Sequence, residues 1–140
     1  MRAQVKWLEG VYFEGEAEGH RIRLEGSTDV GGMDRAIRPM HSILIGLASC
    51  SAYDVVNILK KARQKLTACE VEVGADRADE VPAVFTQIRL HFHLSGPSLG
   101  EEQVERAVTL SVEKYCSVAK MLRQGGVKIT HSYAIEEQSD

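Results

Sequence analysis

The chain of 140 residues lacks an excess of charge of either sign: Lys and Arg number 17, Asp and Glu 20, and the formal net charge is −3. Without a basic stripe or tail there is no electrostatic footprint for a phosphate backbone, so nucleic acid is not an expected partner. Long hydrophobic runs are missing as well. The longest nearly apolar stretch, Ile43 to Ala48, is too short to cross a bilayer, and Met1-Arg2-Ala3-Gln4-Val5-Lys6 has no apolar segment of the signal-peptide kind. A cytoplasmic protein with no membrane partner is expected. Cysteine is scarce. Cys50, Cys69 and Cys116 make an odd count with no CxxC and no metal-ligand spacing, which excludes a secreted disulfide framework and a zinc knuckle. Internal repeats, linkers and low-complexity segments are absent too, and the length fits a single domain over 1–140.

Proline, of which there are three, is missing between Pro39 and Pro82, and the longest element is expected there. Pro39 suits a first helical turn, because its fixed φ is helical and its missing N–H would have no partner anyway. Apolar residues follow at 43, 44, 47, 48, 52, 55, 58, 59, 62 and 66, with the small Ser51 among them, a wide stripe at helical spacing, with Lys60, Lys61 and Arg63 near the end where the helix dipole favours cations. The pattern predicts one core helix from Pro39 to about Leu66, roughly 40 Å long. Cys50 sits at its middle among the small residues Ala48, Ser49, Ser51 and Ala52. A packed structural cysteine and a reactive thiol are both compatible with that setting.

Before the helix the pattern has period two, punctuated by Gly10, Gly15 and Gly19, which predicts a meander of antiparallel strands at about 2–9, 11–18 and 20–26. The loop 27–37 contains Gly31-Gly32 without the Lys-Ser or Lys-Thr of a phosphate-binding turn. It also contains Arg35, which with Arg38 stands ahead of a helix N-terminus, where a cation is disfavoured unless something negative is close. Beyond the helix, Cys69 to Arg77 alternates, and Cys69 shares parity with Val71 and Val73, which assigns it to the core face. Ile88, Leu90, Phe92 and Leu94 face one side of the next strand, with His91 and His93 on the other; two histidines without a third ligand make a solvated face as good an account as a metal grip.

Ser98 is a candidate N-cap for an acidic helix start at Glu101. Val104, Ala107, Val108, Leu110, Ser111 and Val112 form the buried stripe of that helix. A break near Tyr115 would put Cys116 at the N-terminus of a second short helix, where unpaired N–H groups stabilise a thiolate; a continuous helix would leave it merely packed. Gly125-Gly126 ends the helical region, Val127 to Glu136 reads as a last strand, and Gln138-Ser139-Asp140 is expected to fray. The whole is α+β.

Two segments together, Arg38-Pro39-Met40 through Gly46-Leu47-Ala48-Ser49-Cys50-Ser51-Ala52-Tyr53-Asp54-Val55-Val56, and Lys114-Tyr115-Cys116-Ser117-Val118, make the chain similar to the OsmC/Ohr family of osmotically inducible and organic hydroperoxide resistance proteins. It resembles most the branch with an Arg-Pro-Met helix entry and a Val55-Val56-Asn57-Ile58-Leu59-Lys60-Lys61 continuation. The resemblance implies an OsmC-like fold: an N-terminal antiparallel meander, a long central helix, a second set of antiparallel strands and C-terminal helices, assembled as an intertwined homodimer. It also implies a stress-defence thiol peroxidase with no metal or organic cofactor. In that reading Cys50 attacks a hydroperoxide and becomes a sulfenic acid, Cys116 resolves it to a disulfide, and a dithiol or a lipoylated protein reopens the bridge.

The family also uses an arginine to hold the thiolate and a glutamate just past the helix-entry proline to orient it. Here Met40 and His41 stand in that place, so Arg35 is the first candidate, Arg38 the second, and His41 a substitute partner. The departure leaves a competing reading, a non-catalytic dimeric stress or small-ligand-binding protein. His41 precedes Cys50 by nine residues. That is roughly 13 Å along one helix, so a charged helper must fold back through the loop or come from a second subunit. The breadth of the apolar stripe also points to a dimer.

Overall fold

The computed structural model describes residues 1–138, so the fraying expected at Ser139 and Asp140 lies outside the described residues. Two compact units are present, Met1–Ile45 and the chain from Gly46 onward.

In the first unit, β1 (Gln4–Glu9), β2 (Tyr12–Ala17) and β3 (His20–Glu25) form an antiparallel meander in the order β1-β2-β3, within two residues of the boundaries expected from the period-two pattern. The turns use positive φ at Gly10 and Gly19, where an L side chain would be strained. After a 3-10 turn at Thr28–Val30 the chain doubles back: Ile37 bridges Leu24 in parallel, and the Glu25 N–H donates to the Ile37 carbonyl at 2.9 Å. Gly31-Gly32 makes this return possible, since Gly31 has φ +100 and a Cβ on Gly32 would lie 1.9 Å from the Gly26 oxygen. Close backbone approach therefore accounts for the glycine pair.

Helix α1 (Pro39–Lys61) begins in the first unit and runs into the second, which adds β4 (Ala68–Arg77), β5 (Phe85–Gly96), α2 (Glu101–Leu110), α3 (Ser117–Gln124) and β6 (Lys128–Glu137). The sheet order is β4-β5-β6. The β4 and β5 strands pair antiparallel as expected, whereas β6 joins β5 in parallel, which requires a long crossover that α2 and α3 supply. Ile88, Leu90, Phe92 and Leu94 of β5 are buried with Val104, Ala107 and Val108 of α2. Cys69 takes the inward parity beside Leu94 but is only half-buried.

Three local expectations are corrected. Helix α1 stops at Lys61, not near Leu66: Arg63 turns left-handed at φ 58, and the Gln64 N–H caps Leu59 at 2.9 Å, a closing motif normally built with glycine. Gln64 is then free to accept from Gly100 N–H at 2.7 Å, and Gly100 rather than Ser98 is the N-cap of α2; Ser98 itself sits at φ 57. The third concerns burial of α1. Only the row Leu47, Ser51, Val55 and Leu59 is buried, while Ile45, Tyr53 and Val56 are 54%, 67% and 41% exposed. By length and composition the whole helix is also apolar enough to span a membrane, although its longest unbroken apolar run is short.

Candidate active site

Ser51 and Cys116 meet because α1 carries a hydroxyl in its buried row and the α2–α3 connection departs from regular helix opposite it. On α1, Ser51 falls in the buried row, one residue past Cys50, and Cys50 beside it is half-buried. After α2, residues Ser111–Tyr115 wind into one π-turn, in which the Cys116 N–H bonds the Ser111 carbonyl at 2.8 Å. Such a turn accommodates one extra residue and is a recurrent feature of functional sites. The extended backbone of Cys116, φ −70 and ψ 111, then opens α3, and its Sγ accepts from the Ala119 N–H at 3.4 Å. Of the two arrangements open from sequence, the break near Tyr115 is the one present, and Cys116 is the N-cap of α3.

Cys116 is 1% exposed. Its sulfur also accepts from Ser51 Oγ at 3.3 Å, and the thiol faces the Leu47 carbonyl at 3.9 Å. Burial is the largest influence on Cys116 and pushes its thiol above the ordinary range; the donors Ser51 and Ala119 pull it down, and Cys50 raises it. The Cys116 sulfur therefore sits in a dry interior with two hydrogen-bond donors for an anion, and Ser51, one of them, is the chain neighbour of Cys50. Cys69 stands apart in β4, its thiol pushed up by burial alone.

An open cleft of about 710 Å³ runs along the C-terminal half of α1, with Tyr53, Asp54 and Asn57 on α1, Arg106 on α2 and Tyr115 on the π-turn among its lining. Asp54 Oδ2 is buried there without a hydrogen-bond partner among the described residues, and desolvation raises its carboxyl. Polar groups spaced along an otherwise mixed wall suit a small amphipathic molecule.

The first unit holds the arginine site. Arg35 Nε and Nη2 donate to Glu25 Oε2 at 3.1 and 2.8 Å, its backbone N–H donates to Glu25 Oε1 at 2.8 Å, and Nη1 reaches Glu9 at 2.6 Å. The guanidinium carbon lies 4.0 Å from the Tyr12 ring centre. Glu25 is 1% exposed, and the Arg35 hydrogen bond, outweighing desolvation, lowers its carboxyl from the usual 4.5 to about 2. Among the described residues, three of the five guanidinium N–H groups are engaged in hydrogen bonds, so two remain for an incoming anion. Arg35 is thus clamped in one orientation while still 32% exposed.

Arg38 and His41 are placed differently. Arg38 makes a loose exposed pair with Asp34 at 3.5 Å, and His41 Nδ1 accepts the Arg38 N–H at 3.4 Å, a helix-entry cap. The carboxylate missing at positions 40 and 41 is supplied instead by Glu25, which sequence reasoning did not single out. Glu25 lies at the end of an alternating strand where it reads as a surface charge; the glycines at 26, 31 and 32, which let the loop close over it, were the available signal. His91 and His93 have separate partners, Ser132 at 2.6 Å and Glu72 at 3.4 Å. Among the described residues no group of three or more His, Cys, Asp and Glu is arranged to hold a metal ion.

Comparison with known proteins places residues 31–132 on the family model described as OsmC-like protein. The chain is 48% identical over 136 residues to Protein YhfA of Escherichia coli K12, covering 96% of this chain and 98% of that one. A solved structure from structural genomics matches with 45% identity and a TM-score of 0.89, over 99% of this chain and 100% of its own. An organic hydroperoxide resistance protein OsmC from Legionella pneumophila, 18% identical, shares the fold with a TM-score of 0.72 over 95% of each chain.

Proposed function

Because the chain belongs to the OsmC family, we propose that it is a thiol-dependent peroxidase, one domain over 1–140, acting on organic hydroperoxides or hydrogen peroxide in cytoplasmic stress defence. The observation that carries this reading is the 3.3 Å hydrogen bond from Ser51, the residue next to Cys50, to the Cys116 sulfur, which draws together two segments 65 positions apart in sequence. In the first step the Cys50 thiolate attacks the distal peroxide oxygen; the O–O bond breaks, Cys50 becomes a sulfenic acid, and the alkoxide or hydroxide takes a proton and leaves as alcohol or water. In the second, the Cys116 thiolate attacks the Cys50 sulfur, the S–O bond breaks, and hydroxide takes a proton and leaves as water. A dithiol, free or carried on a lipoylated protein, then returns two electrons and two protons. Arg35, fixed by Glu25 with N–H groups to spare, is the residue we assign to the thiolate and the peroxide anion, in preference to Arg38 or His41. The competing reading, a non-catalytic ligand-binding protein, drew its force from the absent carboxylate; Glu25 as the partner of Arg35 supports the peroxidase reading in its place.

The test is intact mass after one equivalent of hydroperoxide per chain. A loss of two hydrogens, with a mapped Cys50–Cys116 bridge and a reduced Cys69, is expected; no mass change, or a bridge involving Cys69, sinks the mechanism.

A second copy of this chain is the proposed cover for the exposed apolar residues of α1, Ile45 and Val56, and for Tyr53. Light scattering of the eluting protein is expected to give twice the 15.5 kDa chain mass. A monomer at micromolar concentration would reject the dimer.

A further inference from the structure

We propose that Ser51 is a positioning residue for the Cys116 thiolate: its hydroxyl, buried between α1 and the π-turn, donates to Cys116 Sγ and holds that sulfur as an anion aimed at Cys50. The inference rests on the peroxidase reading above for its role in turnover, and on three structural facts for its existence. Ser51 is 0% exposed, and its Oγ lies 3.3 Å from Cys116 Sγ. Ser111, also 0% exposed, donates to the Ser51 carbonyl at 2.6 Å, so the backbone that carries the hydroxyl is pinned to the π-turn that carries the cysteine. The Ala119 N–H approaches the same sulfur from the other side at 3.4 Å.

A fully buried hydroxyl must find partners, since leaving one unpaired in a dry interior is costly. In an apolar helix row of Leu47, Ser51, Val55 and Leu59, a fourth aliphatic residue would pack as well. A serine here instead aims its donor at a sulfur. Cys116 needs such help, because burial opposes its ionisation and, among the described residues, no cation figures among the groups that act on its thiol. Of the charged groups on the neighbouring segments, Glu113 pairs with His131 at 3.7 Å, Arg123 donates to the Val112 carbonyl at 2.7 Å, and Lys114 lies 5.4 Å from the Tyr115 ring centre. Cys50 is the titratable group that acts on the sulfur, and its charge opposes a second anion. Two neutral donors, one from a side chain and one from a helix N-terminus, are what remains to stabilise the thiolate.

The resolving step follows with its atoms balanced. The thiol proton leaves Cys116, the sulfur forms a bond to the Cys50 sulfenic sulfur as the S–O bond breaks, and that proton ends on the departing hydroxide as water. Ser51 gives up no atom. It lowers the cost of the charged form before attack, and it releases the sulfur as the negative charge passes to oxygen.

The experiment follows the resolving step by rapid quench and mass analysis over pH 7 to 12, in the native chain, Ser51→Ala and Ser111→Ala. Losing one donor to a thiolate should move the pH limb of disulfide formation up by about one unit. On the rising limb the tenfold loss of thiolate is partly offset by a thiolate about threefold more nucleophilic, so Ser51→Ala is slower by about threefold there and faster by about threefold on the plateau. That crossing of the two profiles is a signature that packing damage would not give. Ser111→Ala, which keeps the Ser51 hydroxyl, is expected to lower the thermal midpoint without moving the limb.

The same variants in a Cys50→Ser, Cys69→Ser background allow direct titration of Cys116 by thiolate absorbance at 240 nm, with no peroxide present. That arm decides the role of Ser51 even if the chain proves inert towards peroxides, so the two readings fail separately. An unchanged Cys116 titration in Ser51→Ala, or an equal displacement in Ser111→Ala, overturns the proposal.

Discussion

Replacing Cys50 by serine is expected to reduce dithiol-dependent hydroperoxide consumption by more than about 100-fold, to the background of the dithiol alone. Replacing Cys116 is expected to produce a different failure. Cys116→Ser should consume about one equivalent of peroxide per chain and stop at a Cys50 sulfenic acid that a dimedone probe captures, because the attacking sulfur is gone while the first step is intact. Excess peroxide should then carry Cys50 on to the sulfinic acid, which thiols do not reverse. Cys69→Ser serves as the internal comparison: its thiol is half-buried in β4 and pairs in register with Leu94, and turnover should stay within about twofold of native. The roles are assigned by the difference between the two arrested states, which a general loss of folding could not produce. Peroxide consumption surviving in Cys50→Ser, or a capturable sulfenic acid on Cys116 in that variant, would reverse the assignment.

Those roles were partly legible before any coordinates. Cys116 stood between Tyr115 and Ser117 after a helix whose buried stripe ran out at Val112, so a break was readable, and with it the helix N-terminus that holds the sulfur. Strands with alternating residues were equally plain, since Ile88, Leu90, Phe92 and Leu94 can face a core only in an extended chain. What sequence did not disclose depends on contacts between segments far apart. The stop of α1 is set by a left-handed Arg63, a conformation that nothing in Ala62-Arg63-Gln64 advertises, and by Gln64 meeting Gly100. The parallel placement of β6 depends on where α2 and α3 return the chain, which local periodicity does not encode. Glu25 is the sharpest case. Its parity with the exposed Arg21 and Arg23 argued for solvent, and only the closure of loop 26–37 turns it into a buried carboxylate.

That closure makes Glu25 the site of the second large effect, on stability and turnover together. One carboxylate accepts the backbone N–H groups of Met33 and Arg35 at 3.0 and 2.8 Å and the Arg35 side chain through both Nε and Nη2. Glu25→Ala removes all four bonds and leaves Arg35 with the exposed Glu9 and the face of the Tyr12 ring. The thermal midpoint is expected to fall by roughly 5–10 °C, with faster amide exchange at Met33 and Arg35. Peroxide turnover should fall about tenfold, because a guanidinium free to rotate no longer presents its N–H groups in one direction. The pH dependence carries the sign. Since folding lowers the Glu25 carboxyl from the usual 4.5 to about 2, its stabilisation is complete above about pH 5 and drains away as the solution is acidified towards pH 2. The native chain should therefore lose stability across that window, and Glu25→Ala should lack this component. Arg35→Ala should move the same loss to higher pH, because the carboxylate then stays buried without its cation. Acid unfolding curves of the three proteins that superimpose between pH 5 and 2 would show that the carboxylate and the arginine do not hold each other, and the assignment of Arg35 to the thiolate would lose its support.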